Sequence, residues 1–288
     1  MASIPSKIQS SHHTRSNSLP SIPHPVTSQI DGHLSRLRTS ESASTSSSIS
    51  QKLRGLQGLH ECIDKLLLLP LTQQALTKEQ RKKWVVEMLD GSLRILDACS
   101  TAKDALLHTK ECSCELQSIM RRKRGGEMAL VSEIRKYLTS RKVMKKATQE
   151  VLKNLKGMEK CNNDDQTPSM ATMFREVEGA DITLFESLLS FISGAKVQPK
   201  TSKWSLVSKL IHHTRVESEQ EVDANEFSKV DAALQFIIGH KDNYSQIENV
   251  QKKLQNLDSC IQDLEEGIEC LFRCLINARV SILNILNH

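Results

Sequence analysis

The sequence predicts an all-α protein: an elongated bundle of long amphipathic helices with a C-terminal heptad helix and a disordered N-terminal tail. Glycine occurs 11 times and proline 7 times in 288 residues, which disfavours the turn-rich pattern of a β fold. Apolar residues recur at steps of three and four along most of the chain, which is the spacing of one helix face. Aromatic residues make up only 3%, so the core must be aliphatic.

The first 25 residues, called the tail from here on, are rich in serine, proline and histidine. They carry too few large apolar side chains to offset the entropy of ordering, so we expect them to be disordered. Because no acidic residue precedes Asp31, an organelle transit peptide is an alternative interpretation.

Within the tail, Arg15, Ser16, Ser18 and Pro20 form the pattern R-S-x-S-x-P. A kinase that favours arginine three residues upstream could phosphorylate Ser18. The phosphate, with its arginine and the following proline, would resemble the extended ligand that 14-3-3 proteins bind through an arginine cluster. The pattern therefore predicts a 14-3-3 partner, with a chance match in a serine-rich segment as the alternative.

Residues 26–288 are predicted to form one helical bundle domain with a polar loop near residues 161–167. Its first helix should begin near Ser28, where Ser28 and Asp31 could form a cap. The second helix should end at Pro70, because proline cannot continue a helix. The predicted inward residues of the second helix are Ile49, Leu53, Leu56, Leu59, Ile63 and Leu67.

Thr77 and Gln80 have the spacing of a capping box and predict the start of a long helix. The pair Gly125 and Gly126 should end it, because consecutive glycines are unfavourable inside helices. Its predicted inward residues are Val85, Leu89, Leu93, Leu96, Cys99, Ala102 and Leu106.

Two further helices are predicted before residue 194. The inward residues of the first are Leu130, Ile134, Tyr137, Met144, Ala147, Val151 and Leu155. Thr167 as the cap and Pro168 at the first helical position predict the start of the second, which should reach about Ser193.

The C-terminal region has the most regular apolar spacing in the chain. Its apolar residues alternate steps of three and four, the heptad rule that keeps one narrow seam facing other helices. We favour packing within the same chain, since several other amphipathic helices need partners, with a homo-oligomer as the alternative. The seam comprises Ile247, Val250, Leu254, Leu257, Ile261, Leu264, Ile268, Leu271, Leu275, Ala278, Ile282 and Ile285.

Charge is distributed unevenly along the chain. Residues 1–160 hold 27 basic and 15 acidic residues (27 − 15 = +12), whereas residues 161–288 hold 12 and 19 (12 − 19 = −7). The two parts could attract each other within one fold or present opposite faces to different partners.

Residues 121–146, called the basic stretch, hold ten basic residues against Glu127 and Glu133, a net charge of 10 − 2 = +8. An anionic membrane surface, an acidic protein or nucleic acid could bind it, but the aromatic residues on which bases stack are scarce. We favour a solvated helix face that pairs in part with the acidic C-terminal half. Its basic residues are Arg121, Arg122, Lys123, Arg124, Arg135, Lys136, Arg141, Lys142, Lys145 and Lys146.

No sequence motif indicates catalysis, a metal or a cofactor. The chain has no phosphate-binding glycine loop, no nucleophile elbow and no histidine pair at the zincin spacing. Eight cysteines without a secretory signal predict reduced thiols in a cytoplasmic or nuclear protein. No apolar run is long and uncharged enough to predict a membrane span.

Four segments together resemble the plant BYPASS-related family: residues 13–20 (HTRSNSLP), 69–76 (LPLTQQAL), 89–97 (LDGSLRILD), and the basic run that ends at Gly125 and Gly126. This family carries a domain of unknown function. The resemblance implies a plant protein linked to root and shoot development, and it supplies no activity, cofactor or binding residue. It also disfavours the transit-peptide interpretation, because the tail matches the start of the family.

The sequence as a whole therefore predicts a non-enzymatic regulatory or adaptor protein that acts through protein contacts. It would be cytoplasmic, with nuclear or membrane-associated forms as further options. The alternative is a peripheral membrane or nucleic-acid binder that uses the basic stretch.

Overall fold

The computed structural model of the chain describes residues 24–39, 45–122, 126–157, 169–194, 225–239 and 244–287. Every regular element in these ranges is a helix, which confirms the predicted all-α bundle. Almost all of the tail lies outside the described residues. The helices are α1 (Pro25–Thr39), α2 (Ser46–Leu67), α3 (Pro70–Glu79), α4 (Lys83–Arg122), α5 (Gly126–Lys156), α6 (Ser169–Ser193), α7 (Glu226–Gly239) and α8 (Tyr244–Asn287).

One cluster of buried apolar side chains joins the helices of the described part, and each of α1 to α8 contributes to it. The long axis of the bundle is set by α4 and α8, which have 40 and 44 residues. At 1.5 Å per residue they are about 60 and 66 Å long. The two helices pack against each other, with α2 and α7 against other parts of α8 and with α5 and α6 against α4.

The C-terminal seam forms the buried face of α8, as the sequence predicts. Its residues from Val250 to Ile282 are buried, and Ile247 and Ile285 pack against the core at its two ends. Side chains of α2, α4 and α7 in the same chain cover this face. The favoured packing within one chain is therefore what the structure shows.

The predicted start of the long helix, α4 in the structure, is wrong. Thr77 lies inside α3, where its hydroxyl donates to the carbonyl oxygen of Gln73 at 2.9 Å, and α4 begins only at Lys83. The reason is Pro70, which ends α2 as predicted but also occupies the first turn of a new helix, where its missing N–H costs nothing. Leu93 also departs from the prediction, because it faces solvent rather than the core.

The start of the first helix also differs from the expected cap. α1 begins at Pro25, so Ser28 lies within the helix rather than at its cap. α2 begins with a capping box in which Thr45 and Ser48 satisfy each other's backbone N–H groups, a pair that was not predicted from the sequence. The inward residues predicted for α2, from Ile49 to Leu67, are all buried.

Helix α7 was not predicted from the sequence. Its residues Phe227, Val230 and Leu234 are fully buried, and the ring of Phe227 meets Phe191 of α6 edge to face at 5.6 Å. α6 ends at Ser193, close to the predicted boundary, whereas its predicted cap residues, Thr167 and Pro168, lie outside the described residues.

Candidate functional site

A cleft of about 490 Å³ opens between α4 and α6. Trp84 and Phe174 contribute apolar walls, and the indole N–H of Trp84 donates to Glu79 at 3.2 Å, which fixes the ring. The charged lining residues are Glu87, Asp90 and Arg94 from α4, and Arg175 and Glu178 from α6.

Glu178 is the residue of this cleft best suited to proton exchange. Burial, and to a smaller extent the nearby Asp181 carboxylate, raise its pKa to about 7 against the opposing charges of Arg175 and Arg94. Such a carboxyl can hold or release a proton at neutral pH. The described lining residues include no histidine, cysteine, serine or threonine beside it, so the cleft offers a proton carrier without a nucleophile.

A buried histidine–aspartate pair lies between α2 and α6. His60 Nε2 donates to Asp181 Oδ1 at 2.9 Å, and the two side chains are 5% and 3% exposed. Burial alone would lower the pKa of His60, but the charge and hydrogen bond of Asp181 outweigh it, and the pKa is raised. Because solvent hardly reaches either group, the pair holds two helices together and cannot contact a substrate.

The basic stretch divides into residues used inside the fold and residues that face solvent. Arg141 is buried, and it donates to the Ile192 carbonyl oxygen at 2.8 Å and to the Asp231 carboxylate at 3.3 Å. Lys145 donates to the other oxygen of Asp231 at 2.7 Å. Asp231 belongs to α7, so this contact joins the basic half of the chain to the acidic half.

The remaining basic residues of this stretch lie mostly on the surface. Lys136 forms an ion pair with Glu115 of α4 at 2.5 Å. Lys123 and Arg124 lie outside the described residues. Arg121, Arg122, Arg135, Lys142 and Lys146 are exposed.

The proposed 14-3-3 motif is not placed by the structure. Arg15, Ser16, Ser18 and Pro20 lie outside the described residues. The hypothesis of a phosphorylated ligand there stays a prediction from the sequence.

The solvent side of α4, called the α4 outer face from here on, carries a second heptad pattern. Exposed residues follow one another at alternating steps of four and three over four heptads. One row contains the apolar residues Val86, Leu93 and Leu107, which are 53%, 45% and 51% exposed, with Ser100 and Cys114 completing it. The other row is acidic and contains Asp90, Asp97, Asp104 and Glu111.

This arrangement has the geometry of a helix-binding surface. Apolar residues seven apart form a shallow stripe that a second helix can cover, and the neighbouring acids would meet lysine or arginine on that helix. Exposed apolar residues are common one at a time and need no explanation. A repeated apolar row with an acidic row beside it has the chemistry to bind a basic amphipathic helix.

The cysteines and carboxylates of the described residues form no further site. Cys99 and Cys260 are buried, and burial raises the pKa of each thiol to about 12, so both stay protonated at neutral pH. In the ranges that the structure covers, no three His, Cys, Asp or Glu residues are placed so that they could hold a metal ion. No helix in those ranges is both long and apolar enough to cross a bilayer.

Comparison with known proteins identifies one family. A sequence model of the family described as Protein BPS1 matches residues 52–285 of this chain, from within α2 to nearly the end of α8. No curated protein and no solved structure matches the chain.

Proposed function

The chain belongs to the BPS1, or BYPASS-related, family, and we propose on that premise that it is a non-enzymatic regulator acting through protein contacts at the α4 outer face. Membership in this family suggests a plant developmental regulator, and the family is not a known enzyme family. We further propose that it acts in root and shoot development.

The observation that carries this proposal is the two-row surface of α4. Val86, Leu93 and Leu107 are large apolar side chains that the bundle leaves about half exposed, and full burial of such a side chain contributes about 1.5–3 kcal/mol relative to full exposure. The parallel acidic row specifies the partner's chemistry. A second copy of this face would bring carboxylates against carboxylates, whereas a helix with basic and apolar residues would satisfy both rows.

The cleft between α4 and α6 is the feature that an enzymatic function would need. The carboxyl group of Glu178 has a pKa of about 7 and has no described nucleophile beside it. An enzyme that used this cleft would therefore rely on general acid–base catalysis without a covalent intermediate. The adaptor function predicts that Glu178→Gln retains biological activity. A Glu178→Gln plant line with the full loss-of-function phenotype, despite normal protein levels, would favour an enzyme.

A binding assay tests the α4 surface directly. The probe is a fluorescent synthetic helix of four heptads with leucine at the core positions and lysine beside them, titrated with the full chain at moderate salt. The variant Asp97→Lys with Asp104→Lys should weaken binding at least tenfold. Its matched control, Glu150→Lys with Glu266→Lys, reverses two charges at other exposed positions and should bind as the wild type does. Equal losses in both variants would contradict the proposal.

The tail adds a proposed regulatory contact. Phosphorylated Ser18, with Arg15 and Pro20, would bind the arginine cluster of a 14-3-3 protein. A phosphorylated peptide of residues 10–24 should bind a 14-3-3 protein at least tenfold more tightly than its unphosphorylated form. Equal affinities would remove this contact.

A further inference from the structure

The corner between α2 and α3 exposes two leucines. Leu68 is 73% exposed and Leu71 is 80% exposed, and among the large apolar side chains of the described part only Met128 exceeds them. They lie in the run Leu66-Leu67-Leu68-Leu69-Pro70-Leu71, in which Leu66 and Leu67 are buried while the chain turns. Leu68 and Leu71 thus both face solvent at this corner of the bundle.

Contacts on the inner side of α3 fix this exposure. The Gln73 amide donates to the Leu67 carbonyl oxygen at 3.0 Å, and the Thr77 hydroxyl donates to the Ile285 carbonyl oxygen at 3.3 Å. Leu76 is fully buried. Leu71 and Leu76 are five residues apart and therefore on opposite sides of the helix, so α3 cannot bury Leu71 without exposing Leu76.

Four exposed basic residues belong to the same segment of the chain as the two leucines. Lys65 lies one turn before Leu68 on α2, and Lys78 lies two turns after Leu71 on α3, so each shares a face with its leucine. Lys65, Lys78, Arg81 and Lys82 are all exposed. Glu79 is the only acid in residues 65–82, which gives a net charge of 4 − 1 = +3, and its carboxylate accepts from Trp84.

The adjoining end of α8 adds an uncharged surface. Residues 280–287 contain no charged side chain. A groove of about 640 Å³ between α3 and α8 opens beside Leu68, and Lys78 is the only charged residue among its described lining residues. This end of the molecule therefore combines apolar projections with positive charge.

We propose that this corner, defined by Lys65, Leu68, Leu71, Lys78, Arg81 and Lys82, docks on an anionic lipid bilayer. The leucines enter the boundary between headgroups and acyl chains, and the four cations contact lipid phosphates and carboxylates. Projecting apolar side chains within a basic surface match a bilayer interface in both respects. Contact through two leucines and a few charges is reversible, because stable anchoring requires a stronger signal.

This surface is separate from the basic stretch. The corner lies at the start of α4, whereas Arg121 and Arg122 lie at its other end, about 60 Å away along a helix of 40 residues. The α4 outer face lies between the two ends, so a protein partner could bind there while the corner contacts a membrane.

Vesicle flotation of the full chain tests this proposal. The probes are vesicles of phosphatidylcholine alone and vesicles with about 30% phosphatidylserine, a content that gives the strongly negative surface to which basic residues respond. The protein should float with the anionic vesicles and not with the neutral ones. Binding should fall as salt is raised, because ions screen the charge contribution.

Two pairs of substitutions separate the contributions of the corner. Leu68→Ser with Leu71→Ser should lower anionic vesicle binding by about tenfold or more, because partial burial of two leucines is lost. Lys78→Glu with Arg81→Glu should also lower it at least tenfold, since each basic residue near the surface contributes about fivefold. All four side chains are exposed, so far-UV circular dichroism should be unchanged.

The controls use the same substitutions elsewhere on the surface. Leu107→Ser on α4, and Lys142→Glu with Lys146→Glu on the basic stretch, change exposed residues and should retain vesicle binding within about twofold of the wild type, because a contact far from the bilayer contributes little. Absence of flotation with anionic vesicles would overturn the proposal. Corner variants that bind vesicles as the wild type does would also overturn it. So would a loss of vesicle binding in Lys142→Glu with Lys146→Glu but not in the corner variants.

Discussion

Helices α4 and α8 each carry a regular row of residues at alternating steps of three and four, but the row of α8 is buried whereas the row on the α4 outer face is exposed. The α8 seam is almost entirely aliphatic, and α2, α4 and α7 bury it. The α4 outer face alternates apolar and acidic residues and stays exposed. Periodicity therefore identifies a helix face, whereas the residues within the row decide whether the chain itself can cover that face.

The largest expected effect in this comparison is on the buried seam. Ile261 is fully buried in α8, so Ile261→Ala should lower the free energy of unfolding by about 4 kcal/mol, through lost burial and a residual cavity. Urea denaturation followed by circular dichroism measures this change. A loss below about 1 kcal/mol would contradict the role of α8 as the central packing helix.

A second large effect is expected where the basic and acidic halves meet. Asp231→Ala should lower the free energy of unfolding by about 3 kcal/mol, because buried Arg141 would lose its carboxylate partner. Asp97→Ala, on the α4 outer face, is the matched control and should change stability by less than about 0.5 kcal/mol. Similar losses for the two variants, measured in urea, would show that this contact does not hold α7 to α5.

The fold was predictable where one row of apolar residues dominates a helix. That was so for α2 and for α8, whose predicted inward residues are all buried or packed against the core. It failed at Leu93, because α4 carries two apolar rows, and spacing alone does not say which faces the core. It also missed Asp231 and the His60–Asp181 pair, since their partners are 90 and 121 positions away along the chain.

The candidate sites also differ in how much of each could be predicted from the sequence. The basic stretch was visible as a run of charge, but the burial of Arg141 depends on α7, a helix that was not predicted from the sequence. The pKa of Glu178 depends on burial between α4 and α6, which has no local signal in the sequence. The exposure of Leu68 and Leu71 could not be read from their apolar run, because Leu66 and Leu67 in the same run are buried.

A third, smaller effect is the pH dependence of stability, which should come from buried groups. Glu178 has a pKa near 7 in the fold against an ordinary value of 4.5. Its folded form therefore binds the proton more tightly, and stability should fall as pH rises from about 5 to about 7. The raised pKa of His60 acts in the same direction, with stability present below 6.5 and lost as pH rises through the higher folded value.

Urea midpoints between pH 5 and pH 8 test these signs. Glu178→Gln should reduce the fall of the urea midpoint between about pH 5 and about pH 7. Glu150→Gln, at an exposed position, should leave the pH dependence of the midpoint unchanged. A wild-type midpoint that rises with pH over this range would contradict the assignment.

The smallest expected effect on stability is on the α4 outer face. Leu107→Ala should change the free energy of unfolding by less than about 0.5 kcal/mol, because the side chain is 51% exposed. The same variant should weaken binding of the leucine–lysine helix. A stability loss above about 2 kcal/mol would mean that the row is structural after all.

Complementation in plants tests the central claim, that the α4 outer face is a partner surface rather than part of the core. Plants that lack the protein would receive the wild type, Leu93→Glu with Leu107→Glu, or the control Val143→Glu, which alters an exposed apolar residue of α5. We predict normal protein levels in all lines, with root and shoot development restored by the wild type and the control but not by the α4 variant. Full restoration by the α4 variant would contradict the account.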